Sequence, residues 1–252
     1  MRQLALLTVF IGLLISCNSK PQKETVTTKK AVPPELSTVN LHKASTVNYI
    51  RGIDISDFQS NINWEAVKES QVKFVFIKAT GGKNYIDPKF FNHWKDAKQQ
   101  KLKRGAYHFY YTADNPEVQA EFFSQTVLKL SDNKDLPPTL DLETRGVNST
   151  ISVEEYQEGV KTWLKIVEER FGRKPIIYAS TNFANQYLNN PFFSSYHLWV
   201  ANYDTEAPEV PSAWQKASWT FWQDSDDAKV IGIPGTVDHD YFNGTMKELN
   251  QL

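Results

Sequence analysis

The segment Pro137-Pro138-Thr139-Leu140-Asp141-Leu142-Glu143 reads as an apolar strand that runs into two carboxylates one residue apart. A strand repeats every two residues, so Asp141 and Glu143 project from the same face. On either side, short apolar runs alternate with amphipathic stretches. The runs are Ile50–Ile55, Phe74–Ala79 and Gly105–Tyr110 before it, and Pro175–Ala179, His197–Ala201, Thr220–Gln223 and a short piece near Val237 after it. With Pro138–Leu142 the strands come close to eight. Strands alternating with helices imply a mostly parallel sheet with the helices outside it, and eight such strands suit a closed barrel.

The clearest helix follows Ser152. Glu155 completes a capping box, Val153, Tyr156, Val160, Trp163, Leu164, Val167 and Phe171 recur at helical spacing, and Gly172 supplies the stop. Further helices are expected over Pro88–Gln100, over Pro116–Leu130 with Asp114 or Asn115 as cap, and shortly after Asn63 and Thr181. After Asn190 the helical signal fades and strand-like pieces follow one another through turns. The expected fold is therefore α/β, an irregular TIM-like (β/α) barrel whose last strands are partly antiparallel. No internal repeat is visible.

Composition narrows the functional classes. The 252 residues suit one barrel, and 28 basic side chains against 29 acidic ones leave no electrostatic footprint for nucleic acid, which is excluded as a partner. Seven Trp, 11 Tyr and 15 Phe exceed what a core of this size requires, and flat apolar faces are what sugar rings stack on, although most aromatics are simply core. One cysteine rules out an intramolecular disulfide framework and a cysteine-rich metal site.

That cysteine lies at the end of an apolar run, Leu4 to Ile15, followed by Ser16-Cys17. The run is too short to span a bilayer as a helix and suits the core of a signal peptide. Small residues leading into a cysteine resemble the lipobox of bacterial lipoproteins, in which cleavage precedes the Cys and lipid is attached to it. The reading is a signal peptide over residues 1–16 and a lipid anchor at Cys17, with a plain secretory signal as the alternative. From Asn18 to Asn48 there is no aromatic residue and no glycine, so residues 17–48 read as a flexible linker and residues 49–252 as the folded body. The expected location is the bacterial cell envelope, with the protein anchored to a membrane through Cys17 and facing the periplasm or the cell surface.

Chemistry concentrates in carboxylates. At the carboxyl end of a barrel strand, Asp141 and Glu143 point into the mouth, where active sites of such barrels lie. Like charges this close do not both ionise easily, so one is expected to keep its proton to higher pH within a coupled pair. An acid and a base with separated pKa values is the requirement of glycoside hydrolysis, although a solvated strand end or a metal site uses the same residue types. Asp54, inside the run Gly52-Ile53-Asp54-Ile55-Ser56, needs partners or a task, since an unpartnered buried carboxylate is costly; Asp57 reads as a cap of the next turn. In Val237-Asp238-His239-Asp240-Tyr241-Phe242, one acid is expected to face the mouth and the other to be a surface charge. His108 lies out of phase with Tyr107 and Phe109 and reads as a structural, hydrogen-bonded histidine.

Several blocks together resemble glycoside hydrolase family 25, the Chalaropsis-type lysozymes. They are Arg51–Ser56 with Phe58-Gln59 and Trp64, Phe76–Thr80, Arg104–Phe109, Leu140–Glu143, Pro175–Tyr178, Leu198–Tyr203, Trp222-Gln223 and Val237-Asp238. The resemblance runs in order from Tyr49 to Phe242. It implies a muramidase that cuts the β-1,4 bond between N-acetylmuramic acid and N-acetylglucosamine in peptidoglycan, with no cofactor or metal. By the same resemblance Glu143 is the general acid. Asp141 is its partner, acting as nucleophile or in support of the substrate's own N-acetyl group, Asp54 shapes the site, and Asp238 is a late acid in the same mouth. Tyr107, Phe109, Tyr178, Trp199, Tyr203 and Trp222 would line the groove, with Asn202 and Gln223 as polar partners for hydroxyls and acetamides. The partners implied are peptidoglycan glycan strands, and the chain is expected to be a monomer.

Two departures stand out. Tyr110-Tyr111 follow the Tyr-His-Phe block where the family often has a small residue and then Arg or Pro, and His239-Asp240 replace a more usual apolar-Asn pair. Asn148-Ser149-Thr150 and Asn243-Gly244-Thr245 match glycosylation sequons, read here as coincidental. Two other readings compete: a catalytically silent peptidoglycan-binding envelope lipoprotein, and a metal-dependent polysaccharide deacetylase. A silent module is expected to lose one of Asp54, Asp141 or Glu143, and none is lost. The deacetylase needs two ligand histidines close in sequence, which His93, His108, His197 and His239 do not offer.

Overall fold

The computed structural model describes residues 49–252; the signal peptide, the Cys17 anchor and the linker expected over residues 1–48 lie outside the described residues. The apolar runs become strands β1 (Ile50–Ile55), β2 (Phe74–Gly81), β4 (Lys103–Phe109), β5 (Thr139–Asp141), β6 (Ile176–Ser180), β7 (His197–Ala201), β8 (Phe221–Ala228) and β9 (Val237–Phe242), with a two-residue β3 (Tyr85–Ile86) that the sequence reading did not anticipate. The helices are α1 (Trp64–Glu69), α2 (Phe90–Gln99), α3 (Pro116–Val127), α4 (Val153–Phe171), α5 (Thr181–Tyr187) and a short α6 (Met246–Leu249).

Neighbouring strands follow the order β1-β2-β4-β5-β6-β7-β8-β9, and β9 pairs back onto β1, which closes an eight-stranded barrel; β3 hangs from the end of β2 as a hairpin arm. All barrel pairings are parallel except those of β9, which runs antiparallel to both β8 and β1. The expected antiparallel character of the last quarter thus resides in one strand. Helix boundaries follow their caps. Asn115, rather than Asp114, caps α3 ahead of Pro116, the Ser152–Glu155 capping box starts α4, and Gly172 at φ 66° ends it.

Strand alternation sorts side chains into two layers. Phe74, Phe76, Tyr107, Ile176, Tyr178, Trp199, Phe221 and Phe242 fill the barrel interior, and Leu249 of α6 joins them. Ile53, Val75, Ile77, Leu140, Ile177, Leu198, Val200 and Trp222 face outward into the layer shared with the helices, where α4 contributes Tyr156, Val160, Trp163, Leu164 and Val167. The interior is so full of rings that two strand positions must be glycine. A Cβ on Gly52 would sit 2.2 Å from the Phe74 ring, and one on Gly105 would sit 2.5 Å from Phe76. Moving along the strands toward their carboxyl ends, the phenylalanines give way to Tyr107, Tyr178 and Trp199 and then to acids.

Candidate active site

At that end Asp54, Asp141, Glu143 and Asp238 line one cavity of about 140 Å³, together with Ser56, Phe58, Lys78, Arg145 and Gln223. Its aromatic walls are Tyr107, Tyr178 and Trp199, the last stacked on Phe76 at 4.2 Å between ring centres. The acids arrive from three strands. Asp141 ends β5, and Glu143 follows in extended backbone at φ −132° and ψ 158°, which keeps the two-residue alternation and sends both to the same side. Asp54 lies on β1, directly opposite Asp238 on antiparallel β9.

Gln223 organises the centre. Tyr178 Oη and Tyr203 Oη donate to its Oε1 at 2.7 and 2.6 Å, and its Nε2 donates to Asp54 Oδ2 at 2.7 Å and to Asp238 Oδ2 at 3.4 Å. Asp54 therefore has the partner that its burial demanded. Glu143 is half-buried and ion-paired with exposed Arg145, Nε to Oε2 at 3.1 Å, while the Arg145 guanidinium lies 5.0 Å from the centre of the Phe109 ring. Asp141 Oδ1 is buried and has no hydrogen-bond partner among the described residues.

Crowding of carboxyls in a dry mouth raises their affinity for protons. Burial, then Asp238 and Asp240, holds Asp54 well above the usual carboxylate range. Asp141 is raised by burial and then by Glu143, against the pull of Lys78 and Arg145. Burial pushes Asp238 up to about 6. The coupling expected of the Asp141/Glu143 pair is thus seen at Asp141, where the neighbouring carboxyl adds to the effect of burial.

The other candidate residues divide between the cavity and its surroundings. Phe109 is fully buried, with Lys78 Nζ 5.1 Å from its ring centre, and stands beside the cavity. Trp222, one position out of phase with Gln223, faces the outer layer against Trp219 and Tyr241, and its Nε1 donates to Asn202 O. Asn202 Oδ1 accepts from Glu209 N at 2.8 Å. Trp222, Phe109 and Asn202 are absent from the cavity walls, whereas Tyr203 reaches the centre through Gln223.

Two expectations are corrected. Asp240 is no surface charge: it is completely buried, its Oδ1 accepts from Trp199 Nε1 at 2.8 Å, and its Oδ2 has no partner among the described residues. Residues two apart on a strand share a face, so Asp238 and Asp240 both point inward. Between them His239 points outward and pairs with Asp224 at 2.6 Å. Asp57 also departs from its expected role, since in the turn after β1 it is Ser56 Oγ that accepts from Phe58 N at 3.4 Å, while Asp57 N donates to Asp87 Oδ2.

His108 is buried between Thr80 Oγ1 at 2.7 Å and Gln119 Oε1 at 3.2 Å, and burial lowers its pKa to about 3. Among the described residues no group of three or more His, Cys, Asp or Glu side chains is arranged to hold a metal ion. Lys78 and Arg145 went unnoticed in the sequence. Strand phase with Phe74 and Phe76 carried a signal for Lys78, whereas Arg145 sits in a turn that has no period to read.

A closed α/β barrel whose mouth gathers an acid pair and further carboxylates at the strand ends is the architecture of a glycoside hydrolase. Residues 53–233 match the model of glycosyl hydrolases family 25, and the chain belongs to that family. It is 40% identical over 205 residues to YegX of Escherichia coli K12, covering 79% of this chain and 72% of that protein. It is 34% identical over 218 residues to lysozyme M1 of Streptomyces globisporus, covering 81% and 71%. The solved structure of a bacterial lysozyme from Streptomyces coelicolor superposes with a TM-score of 0.75 at 30% identity, covering 81% of this chain and 98% of that one.

Proposed function

We propose that this chain is a muramidase that hydrolyses the β-1,4 bond between N-acetylmuramic acid and N-acetylglucosamine in peptidoglycan. The observation that carries the reading is the meeting of Asp141 and Glu143 with Asp54 and Asp238 in one cavity at the barrel mouth. Family membership and the relatives named as lysozymes support it.

In this reading Glu143 gives its proton to the glycosidic oxygen as the C–O bond breaks. The carbonyl oxygen of the substrate's own acetamido group bonds to the anomeric carbon, forming an oxazoline-like intermediate. Asp141 Oδ1, which no group among the described residues satisfies, accepts the acetamido N–H, and the carboxylate offsets the developing positive charge. Glu143, now a carboxylate, takes a proton from the water that opens the intermediate. Gln223 holds Asp54 and the two tyrosines in place around the reacting sugar. Replacing Glu143 by Gln is expected to abolish turnover while leaving fold and glycan binding intact; undiminished turnover would contradict the assignment.

The run Leu4–Ile15 before Ser16-Cys17 supports a second element of the proposal, a lipidated Cys17 that tethers the enzyme to a membrane of the cell envelope. A Cys17→Ser variant should move from the membrane fraction to the soluble fraction of its host, and continued membrane recovery would contradict the tether.

A further inference from the structure

The turn Ser56–Gln59, leading out of β1, carries Phe58, which at 82% exposure is the most exposed large hydrophobic side chain among the described residues. A lone exposed apolar residue needs no explanation by itself. Phe58 differs in its position. It forms a wall of the acid cavity and also of an adjoining recess of about 390 Å³, which is bounded by Asp54, Ser56, Tyr107, Asp238 and the loop 234–236.

The turn beneath it is pinned from three sides. Within the turn, Ser56 N donates to Gln59 Oε1 at 3.1 Å and Gln59 N donates to Ser56 O at 3.2 Å. Asp57 N donates to the buried Asp87 at 2.9 Å, Gln59 Nε2 donates to Thr236 O at 3.3 Å, and the buried His93 of α2 bonds Gln59 O at 3.1 Å. An apolar ring is thus held in water on a backbone that is already fixed, so a ligand meeting it avoids the cost of ordering the turn.

The recess combines that ring with carboxylates and a hydroxyl. An aliphatic or lipid group would strip water from the carboxylates and the hydroxyl of this recess without replacing its hydrogen bonds. A pyranose suits both, with an apolar C–H face for the ring and a rim of hydroxyl and acetamide groups for Asp238, Asp54 and Ser56. We infer that Phe58 is a substrate-binding residue whose ring stacks on an N-acetylhexosamine unit seated in this recess, next to the unit that undergoes cleavage. The inference rests on the muramidase reading and assigns a sugar position to a residue outside the acid cluster.

The test compares the full chain with its Phe58→Ala and Phe58→Trp variants on solubilised glycan strands, with and without their stem peptides. Phe58→Ala should raise KM about tenfold on both substrates, with the loss falling on KM rather than kcat, and Phe58→Trp should recover most of it. An unchanged KM in Phe58→Ala overturns the inference, and so does an effect confined to strands that keep their peptides. If the unaltered chain released no new muramic acid ends, the muramidase reading itself would fail. Calorimetric titration of the peptide-free strands would then still decide the point, about tenfold weaker binding by Phe58→Ala supporting the platform and equal binding overturning it.

Discussion

Asp54 on β1 lies directly opposite Asp238 on β9, and one amide nitrogen, Gln223 Nε2, donates to both. Two acids that repel each other are thus bridged by a neutral donor whose own oxygen is satisfied by Tyr178 and Tyr203. Removing the bridge strands several buried groups at once, each costing about 1–3 kcal/mol when unsatisfied. Gln223→Ala should lower both the unfolding free energy and kcat/KM, the latter about tenfold or more. Gln223→Glu should be worse, because it adds a third charge to the pair. Denaturant unfolding beside steady-state kinetics checks both, and a Gln223→Ala variant of unaltered stability and kcat/KM would remove the bridge from the account.

The acid side of the pH–rate profile follows from Asp141. Its carboxyl is raised by burial and by Glu143, and it must be ionised to offset the positive charge on the reacting sugar. Activity is therefore present above its pKa and lost as pH falls through it, so the acid limb should lie above the ordinary aspartate value of about 4. Lys78 pulls the Asp141 pKa down, so Lys78→Met should move the limb to still higher pH. A profile flat down to the ordinary carboxylate range, or a limb moved downward in Lys78→Met, would count against Asp141 in this role.

Asp240 offers a test on stability instead of rate. Burial and neighbouring Asp238 raise its pKa in the folded protein, so the folded state holds this proton to higher pH than the unfolded chain does. The associated stability is fully present at low pH and is lost as pH rises through the folded pKa. Asp240→Asn keeps an oxygen for Trp199 Nε1 and removes the charge. It should stabilise the fold at pH 7 to 8 by on the order of 1–3 kcal/mol, the gain vanishing toward pH 4. Denaturant titrations across that range check the sign, and a gain that grew on acidification would contradict it.

Strand period made most of the barrel legible. It joined Asp141 to Glu143, while the family resemblance put Tyr107, Tyr178 and Trp199 in the groove; in the structure these rings share the interior with Phe74 and Phe76, because an enclosed layer tolerates only one phase. The same rule, applied fully, would have buried Asp240 and turned Trp222 outward; the charge of one and the ring of the other argued misleadingly against the phase. Where the backbone leaves regular structure, no period exists. The turn that presents Phe58 depends on contacts between segments far apart in the chain, Asp57 with Asp87 and Gln59 with Thr236, and the short β3 and Arg145 beside Glu143 adjoin turns that carry no period.

The most direct test of the central claim is mass spectrometry of borohydride-reduced products after purified peptidoglycan is incubated with the protein and, in parallel, with its Glu143→Gln variant. The account predicts fragments ending in reduced muramic acid from the unaltered protein and none from the variant. Fragments ending in reduced glucosamine, loss of acetyl groups without chain cleavage, or equal release by both proteins would contradict it.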